Sequence, residues 1–309
     1  LQPSLSLLPP DASRVLILVN PTAGRRRAWP RVNRLVELLE QRDFQVQVST
    51  ELAEAALAAN RWHGEGRLRA LVGVGGDGTA AALVNRTVAG LPITMLPAGN
   101  ENLLARYLRL DEDPEACCRS IAAGRVIRLD AARAGDRIFL LMASCGFDAD
   151  VVHRLHRRRR GHIRTSSYVR PILDSIRGYK YPELQITCDA DDPPAGPRQT
   201  PLAARWLFAF NLPCYGGGLR IAPQADGSDG LLDICTFRRG GLRHGLAYAA
   251  AIYLQRHFRL ADFAHRRLRR LRVASAAEVP YQLDGDPGGF LPVEIEALPQ
   301  RLTLVVPPA

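Results

Sequence analysis

The run Val15-Leu16-Ile17-Leu18-Val19 is uninterruptedly apolar and ends at Asn20-Pro21-Thr22-Ala23-Gly24. A run of that length reads as a parallel strand buried on both faces. Val32, Leu35, Val36, Leu38 and Leu39 then recur at helical spacing, and residues 44–48 alternate as a second strand. Residues 52–59 predict a helix, 70–74 a third strand, 80–88 a helix and 93–96 a fourth strand. Repeated strand–helix units with short connections pack as a parallel sheet covered by helices. After Gly124 the pattern changes. Strands are predicted over 126–129, 138–142, 184–188, 205–210, 231–235 and 301–306, separated mainly by Gly, Pro and Asp turns. Helices are predicted near 166–176 and 242–258, and 189–200 reads as an exposed hairpin loop or tip. The expected fold is an α/β N-terminal domain with a parallel sheet, followed by a mostly antiparallel β-sandwich domain with inserted helices.

Composition narrows the classes. With 309 residues, 47% hydrophobic and 23% charged, the chain is an ordinary globular one of about two domains. Its longest apolar run, near Leu246–Leu254, is far short of the ~20 residues of a membrane span and predicts a buried helix. Leu1–Pro10 has no basic n-region, so no signal peptide is expected. The net charge of +10 is almost all arginine, because Lys180 is the only lysine. A P-loop kinase needs a lysine after its glycines, and a protein kinase needs one on a strand. Lys180, in a Gly-Tyr-Lys-Tyr-Pro turn, suits neither. The six cysteines form no C-x-x-C pair or zinc spacing, so reduced thiols are expected.

Two glycine-containing loops follow two of the parallel strands. Gly75-Gly76-Asp77-Gly78-Thr79 lets backbone amides approach a polyanion at a helix start. Asp77 would repel bare phosphate, so it suits a Mg²⁺ ion, a ribose hydroxyl or the loop itself. A tight turn that binds nothing fits the same five residues. The order Asn20-Pro21-x-x-Gly24, Gly75-Gly76-Asp77-Gly78-Thr79, Pro97-x-Gly99-x-x-Asn102 is more specific. So is the later series Gly146-Phe147-Asp148-Ala149, Asn211, Gly216-Gly217-Gly218, Ile221-Ala222-Pro223, Asp229-Gly230-x-Leu232-Asp233 and Asp284-Gly285-Asp286. From about Arg14 to Val306 the chain resembles the diacylglycerol kinase catalytic-domain superfamily, especially the bacterial lipid kinases related to sphingosine and ceramide kinases.

That resemblance implies an ATP-dependent kinase acting on a lipid hydroxyl, diacylglycerol-like or sphingoid. An NAD or small-polyol kinase, or a catalytically weak pseudokinase, remains as an alternative. It implies a nucleotide-binding domain over 1–128, to which strand 296–309 returns, and an acceptor domain over 129–295. ATP would be lined by Asn20, Pro21, Thr22, Ala23, Gly24, Thr50, Gly75, Gly76, Asp77, Gly78, Thr79, Ala80, Ala81 and Asn100. Asp77, Asp284 and Asp286 would be catalytic. Asp130 would join a charge network, and Asp226, Asp229 and the Leu231 carbonyl would hold a structural Mg²⁺. An Asx-capped turn would use the same aspartates equally well. Three positions depart from the family pattern. Asn100 stands for Thr, Leu103 for Asp and Asp286 for Glu, the last shortening the reach by one methylene. Glu101 is a candidate replacement carboxylate.

The segment His153–Arg164 reads HRLHRRRRGHIR and would attract anionic headgroups or nucleotide phosphates. A solvated helix end carries such a run as readily. Nucleic acid is not an expected partner, because aromatic residues do not interleave the charge. The resemblance implies a cytoplasmic protein that meets its substrate at a membrane surface, with a homodimer left open.

Overall fold

The computed structural model describes residues 5–20, 25–158, 169–188 and 202–308. The chain divides into two compact units, one of Leu1–Asp130 with Gln300–Ala309 and one of Ala131–Pro299. The expected tip at 189–200 lies outside the described residues, as do 21–24 and 159–164.

The first unit is built from β1 (Leu5–Leu7), β2 (Arg14–Val19), α1 (Arg25–Glu40), β3 (Gln45–Ser49), α2 (Leu52–Gly64), β4 (Leu68–Gly75), α3 (Asp77–Val84), β5 (Pro92–Pro97), α4 (Leu103–Tyr107), α5 (Pro114–Ala123) and β6 (Arg125–Ala134). Strands β3, β2, β4 and β5 pair in parallel in that order. Beside β5 run Thr303 and Leu304 of the final strand, also parallel. Val15 to Val19 and all of β4 are buried. Helix α1 lays Val32, Leu35 and Leu39 on the sheet, together with Cys118 and Ile121 of α5. Each such side chain contributes about 1.5–3 kcal/mol by leaving water. Helix α5 starts on Asp113, whose carboxylate accepts the amides of Glu115 and Ala116, and stops at Gly124 with φ 63°. The buried Arg69 guanidinium donates to the Ile121 and Ala122 carbonyls at that helix's C-terminus, where a cation meets the negative end of the helix dipole.

The second unit continues with β7 (Arg137–Phe139), β8 (Met142–Gly146), α6 (Phe147–Arg157), α7 (Val169–Gly178), β9 (Leu184–Cys188), β10 (Leu202–Ala204), β11 (Trp206–Phe210), β12 (Leu232–Phe237), α8 (Leu242–Tyr253), β13 (Phe263–Leu268), β14 (Arg270–Ala274), β15 (Pro280–Leu283), β16 (Asp286–Phe290) and β17 (Val293–Val305). One sheet, ordered β13-β12-β11-β8-β15-β16, is antiparallel throughout. The other includes β10, β9, β14 and the first half of β17. Side chains of both inner faces form one core, with Ala143, Leu207 and Ile234 from the first sheet and Ile186, Leu271 and Ile295 from the second. This is sandwich packing, and the fold class is the expected one.

Several local expectations change. The strand expected over 138–142 breaks at Leu140–Leu141, because side chains take over the backbone hydrogen bonds there. A helix, α6, follows β8 and ends within the basic segment, in keeping with the helix end that the sequence left open there. The helix expected to 258 ends at Tyr253, with a short 3₁₀ turn at His257–Arg259. It is also not buried: of α8 only Tyr248 and Ile252 are covered, while Leu246 is 62% and Tyr253 is 78% exposed. Its apolar run reflects a face turned to solvent. No helix among the described residues is long and apolar enough to cross a membrane.

Candidate active site

In the first unit the glycine loop follows β4 and opens α3. Glycine is required here by crowding. A Cβ on Gly75 would come within 2.2 Å of Thr79 Oγ1, and one on Gly99 within 2.6 Å of the Gly76 Cα. The Gly75–Thr79 and Pro97–Asn102 loops therefore touch backbone to backbone, and the Ala98 amide donates to the Gly75 carbonyl at 3.0 Å. Asn102 locks the second loop. Its Oδ1 accepts the Gly99 amide and its Nδ2 donates to the Gly99 carbonyl, each at 3.0 Å. Asn102 itself sits at φ 49°, a left-handed conformation that Asn tolerates better than most residues. Asn20, at the end of β2, donates from Nδ2 to Thr79 Oγ1 at 2.9 Å, joining the first strand's end to the loop.

Asp77 does not point an uncommitted carboxylate outward. Its Oδ2 and Oδ1 accept the amides of Leu103 and Leu104, both at 2.9 Å, and so cap α4 from a distant part of the chain. Of the three uses open to Asp77, the structure displays the holding of the loop. Gly78 is different: it is exposed, and a Cβ there would meet nothing within 4 Å. The first intrahelical bonds are those of the Thr79 and Ala80 amides to the Gly76 carbonyl. The Asp77 and Gly78 amides precede them at a positive helix end, beside open space. Such an end suits an anion.

The other expected residues of this site are distributed as follows. Thr79 and Ala80 are buried, Ala81 is half-buried, and Asn100 and Thr50 are exposed. Thr50 follows β3, on the same carboxyl edge of the sheet. Pro21, Thr22, Ala23 and Gly24 lie outside the described residues. Glu101 is exposed. Asp130 is buried and accepts the Gln300 amide at 2.7 Å, which fixes the chain at a residue with φ 51°.

In the second unit Asp284 behaves like Asp77. Its Oδ2 accepts the Leu140 amide at 2.7 Å, and its Oδ1 those of Leu141 and Met142 at 2.8 and 3.0 Å. The carbonyls of the same bend go to the fully buried Asn211. Its Nδ2 donates to Leu140 at 2.7 Å and its amide to Leu141 at 2.9 Å. This exchange of partners is why β7 and β8 are separate strands. Asp286, two residues on, has a side chain 45% exposed, with Oδ1 3.1 Å from His156 Nε2. The ring nitrogen makes no well-angled hydrogen bond there.

A polar network runs beneath Asp284-Gly285-Asp286. Gln282 Oε1 accepts the Gly285 amide at 2.7 Å, and its Nε2 lies 2.9 Å from Ser144 Oγ and 3.2 Å from Asp148 Oδ2. Asp148 also accepts hydroxyl bonds from Ser144 and Tyr215, each 2.5 Å. Asp148 belongs to the Gly-Phe-Asp-Ala motif, but Gln282, Ser144 and Tyr215 carry no signal in the sequence beyond nearness to a motif. Close by, a cavity of about 300 Å³ is lined by His153, Arg154, Arg157, Lys180 and Phe290. Burial holds the His153 imidazole below its usual pKa, so it is neutral more readily than a free histidine.

The residues expected to hold a structural Mg²⁺ do not fit one as arranged. Asp226 Oδ1 accepts the amide and hydroxyl of Ser228, at 3.1 and 2.6 Å. Asp229 Oδ1 accepts the Leu231 amide at 2.9 Å, and its Oδ2 is ion-paired with Arg267. An arginine already supplies the positive charge, and the geometry is that of two Asx turns. No group of three or more His, Cys, Asp or Glu side chains gathers as a metal site among the described residues. No structural Mg²⁺ is assigned there.

Comparison with known proteins agrees with this architecture. Residues 14–134 match the diacylglycerol kinase catalytic domain, and residues 142–306 match the YegS C-terminal NAD kinase beta sandwich-like domain. A diacylglycerol kinase of Mycobacterium tuberculosis is 28% identical over 314 residues, covering 96% of each chain. A diacylglycerol kinase of Bacillus subtilis is 22% identical, covering 95% of this chain and 96% of its own. Among solved structures, a diacylglycerol kinase from Bacillus anthracis superposes with a TM-score of 0.66 at 18% identity, covering 96% of this chain and 97% of its own. An NAD kinase from Archaeoglobus fulgidus in complex with ATP gives a TM-score of 0.51 at 14% identity, with 94% and 93% covered, and shares the fold. With its glycine loops at the end of β4 and its Asp-Gly-Asp turn on the sandwich, this chain belongs to the family that joins a diacylglycerol kinase catalytic domain to a YegS C-terminal β-sandwich domain.

Proposed function

We infer that the protein is an ATP-dependent lipid kinase that moves the γ-phosphoryl group of ATP to a lipid hydroxyl, diacylglycerol-like or sphingoid. The observation that carries this reading is the exposed Gly78 at the opening of α3, with open space where a side chain would stand. Phosphoryl transfer asks little covalent work of a protein. It asks for held phosphates, neutralised charge and a placed acceptor. The Asp77 and Gly78 amides would take phosphate oxygens, while Asp77 keeps the two loops in register through Leu103 and Leu104. ATP brings Mg²⁺ as part of the substrate, and that ion supplies the charge neutralisation.

In the step itself the acceptor oxygen bonds to the γ-phosphorus as the bond to the β–γ bridging oxygen breaks. The hydroxyl proton passes to a carboxylate. Asp284 is committed to three amides, so this role falls to Asp286, whose side chain is 45% exposed, and Asp284 becomes the residue that positions it. His156 would then steady the Asp286 carboxylate.

The test is incubation of the full chain with γ-labelled ATP, Mg²⁺ and a panel of lipids in mixed micelles, with NAD, sugars and no acceptor as controls. Label should enter the organic-soluble fraction. Label on NAD would replace the lipid kinase with a nucleotide kinase. ATP binding without transfer to any acceptor would make the protein a pseudokinase.

A further inference from the structure

Helix α8 has two unlike faces. The inner face is fixed by close packing: a Cβ on Gly245 would lie 3.1 Å from the Trp206 ring, so the helix sits directly on that indole. Tyr248 and Ile252 are buried beside it. The Tyr248 hydroxyl is hydrogen-bonded to Asp262, and its ring lies 4.4 Å from that of Phe237. This anchoring decides which residues face outward. Leu242, Leu246 and Tyr253, spaced by four and seven residues, fall on one exposed stripe with alanines between them. Leu254 and Phe258 prolong it past the helix end, and both are exposed. Side chains at these spacings share one face of a helix.

The charge around this stripe is one-sided. Residues 238–260 contain five arginines and no aspartate or glutamate. Arg239 approaches Asp262 at 3.7 Å. Arg238, Arg243, Arg256 and Arg259 are exposed and make no ion pair with a described residue. Helix α6 makes the contrast, because Arg154 pairs with Asp150 there and Arg158 with Asp174.

We propose that the outer face of α8 docks the protein on an anionic lipid bilayer, with Leu242, Leu246 and Tyr253 inserted among the acyl chains and the arginines at the phosphate level. An amphipathic helix with arginine at its flanks and leucine and aromatic residues on its apolar face has the chemistry of an interfacial anchor. Long arginine stems let the guanidinium reach the headgroups while the helix axis lies lower. A second copy of the chain is a poorer occupant. A two-fold contact would set these arginines against each other, and a stable dimer needs about 1,600 Å² of buried surface, far more than one short stripe provides. The proposal rests on the lipid-kinase reading only for why a bilayer would be near.

The test is sedimentation of the full chain with vesicles of phosphatidylcholine plus phosphatidylglycerol, against phosphatidylcholine alone. The wild type should pellet with the anionic vesicles and lose binding as salt rises. Leu246→Gln with Tyr253→Gln should weaken partitioning about tenfold. Arg243→Gln with Arg256→Gln should weaken it about thirtyfold and flatten the salt dependence. Both pairs lie on the surface and should leave thermal unfolding and ATP affinity unchanged. Wild-type protein that stays in the supernatant, or variants that pellet equally, would overturn the proposal. So would a concentration-dependent dimer that the Leu246 and Tyr253 changes dissolve. If the variants lose vesicle binding while no acceptor takes label from ATP, the docking surface stands and the kinase reading falls. If lipid takes the label while the variants bind vesicles as the wild type does, the kinase reading stands and the docking surface falls.

Discussion

Asp77 and Asp284 each stand before a glycine in a loop that the family shares, and each spends its carboxylate on consecutive backbone amides. Asp77 receives two, from Leu103 and Leu104, and Asp284 receives three, from Leu140, Leu141 and Met142. The surroundings separate them. Beside Asp77, Gly78 leaves a helix start facing open space. Asp284 sits at φ 51° against a bend whose carbonyls are held by a fully buried asparagine. One aspartate joins two loops beside an open helix start, and the other braces the bend next to Asp286. The same dipeptide thus has two settings, and under the proposed mechanism the reactive carboxylate is not the one that the motif displays first.

The comparison breaks most visibly if Asp284 proves dispensable. Asp284→Ala would strand three amides in a part-buried bend and should cost about 3 kcal/mol in denaturant unfolding. Asp284→Asn keeps an acceptor oxygen and should cost less. Gly78→Leu examines the other side. Leucine is a good helix former and has room at this position, so stability should not fall. ATP affinity by titration calorimetry should drop about a hundredfold as the side chain fills the phosphate space. Unchanged affinity would remove the loop from the nucleotide site. Asp77→Ala should lower both stability and turnover, the stability by about 1–2 kcal/mol through the lost cap. Asp286→Asn should leave unfolding and ATP binding alone while cutting kcat about tenfold, since general-base assistance is one contribution among several.

A smaller effect concerns buried thiols in both units. Burial pushes Cys117 in the first and Cys145 in the second up to about 12 from an ordinary value of 9.0. Above pH 9 the unfolded chain releases these protons while the folded chain keeps them. The unfolded state then binds fewer protons, and stability falls as pH rises from 9 toward 12. Unfolding temperature should decline over that window. Native protein at pH 8 should react with a thiol reagent at Cys188 and Cys214, which are partly exposed, before the buried four.

The parallel strands β2, β4 and β5 were legible because both faces are covered, so each is a nearly continuous apolar run, whereas the edge strand β3 is largely exposed and was legible by its alternation. Arg270–Ala274 alternates buried and exposed residues, yet its three charged or small positions in five weaken the signal. Asp286–Phe290 runs DPGGF, a composition opposed to a strand, and is held as one by pairing with β15. The glycine loops were legible as strand-to-helix turns that let amides approach a polyanion, with an empty turn equally open, and the crowding that requires glycine shows only in the structure. What the aspartates bind could not, because their partners are amides 26 or more residues away. Nor does an apolar run tell whether its helix faces a core or the outside, and α8 took the second course.

Strand β17 has a consequence for biosynthesis. Thr303 and Leu304 form the neighbour of β5 in the first unit's sheet. Residues up to Asp130 leave the ribosome long before them. At typical elongation rates of about 5–20 residues per second, the flank of β5 waits about 10–40 s for its partner. Through that interval the nascent chain carries an unpaired strand edge, the kind of surface that invites pairing with a stranger. Synthesis slowed between the two segments would lengthen the hazard, and a chaperone that covers strand edges would shorten it.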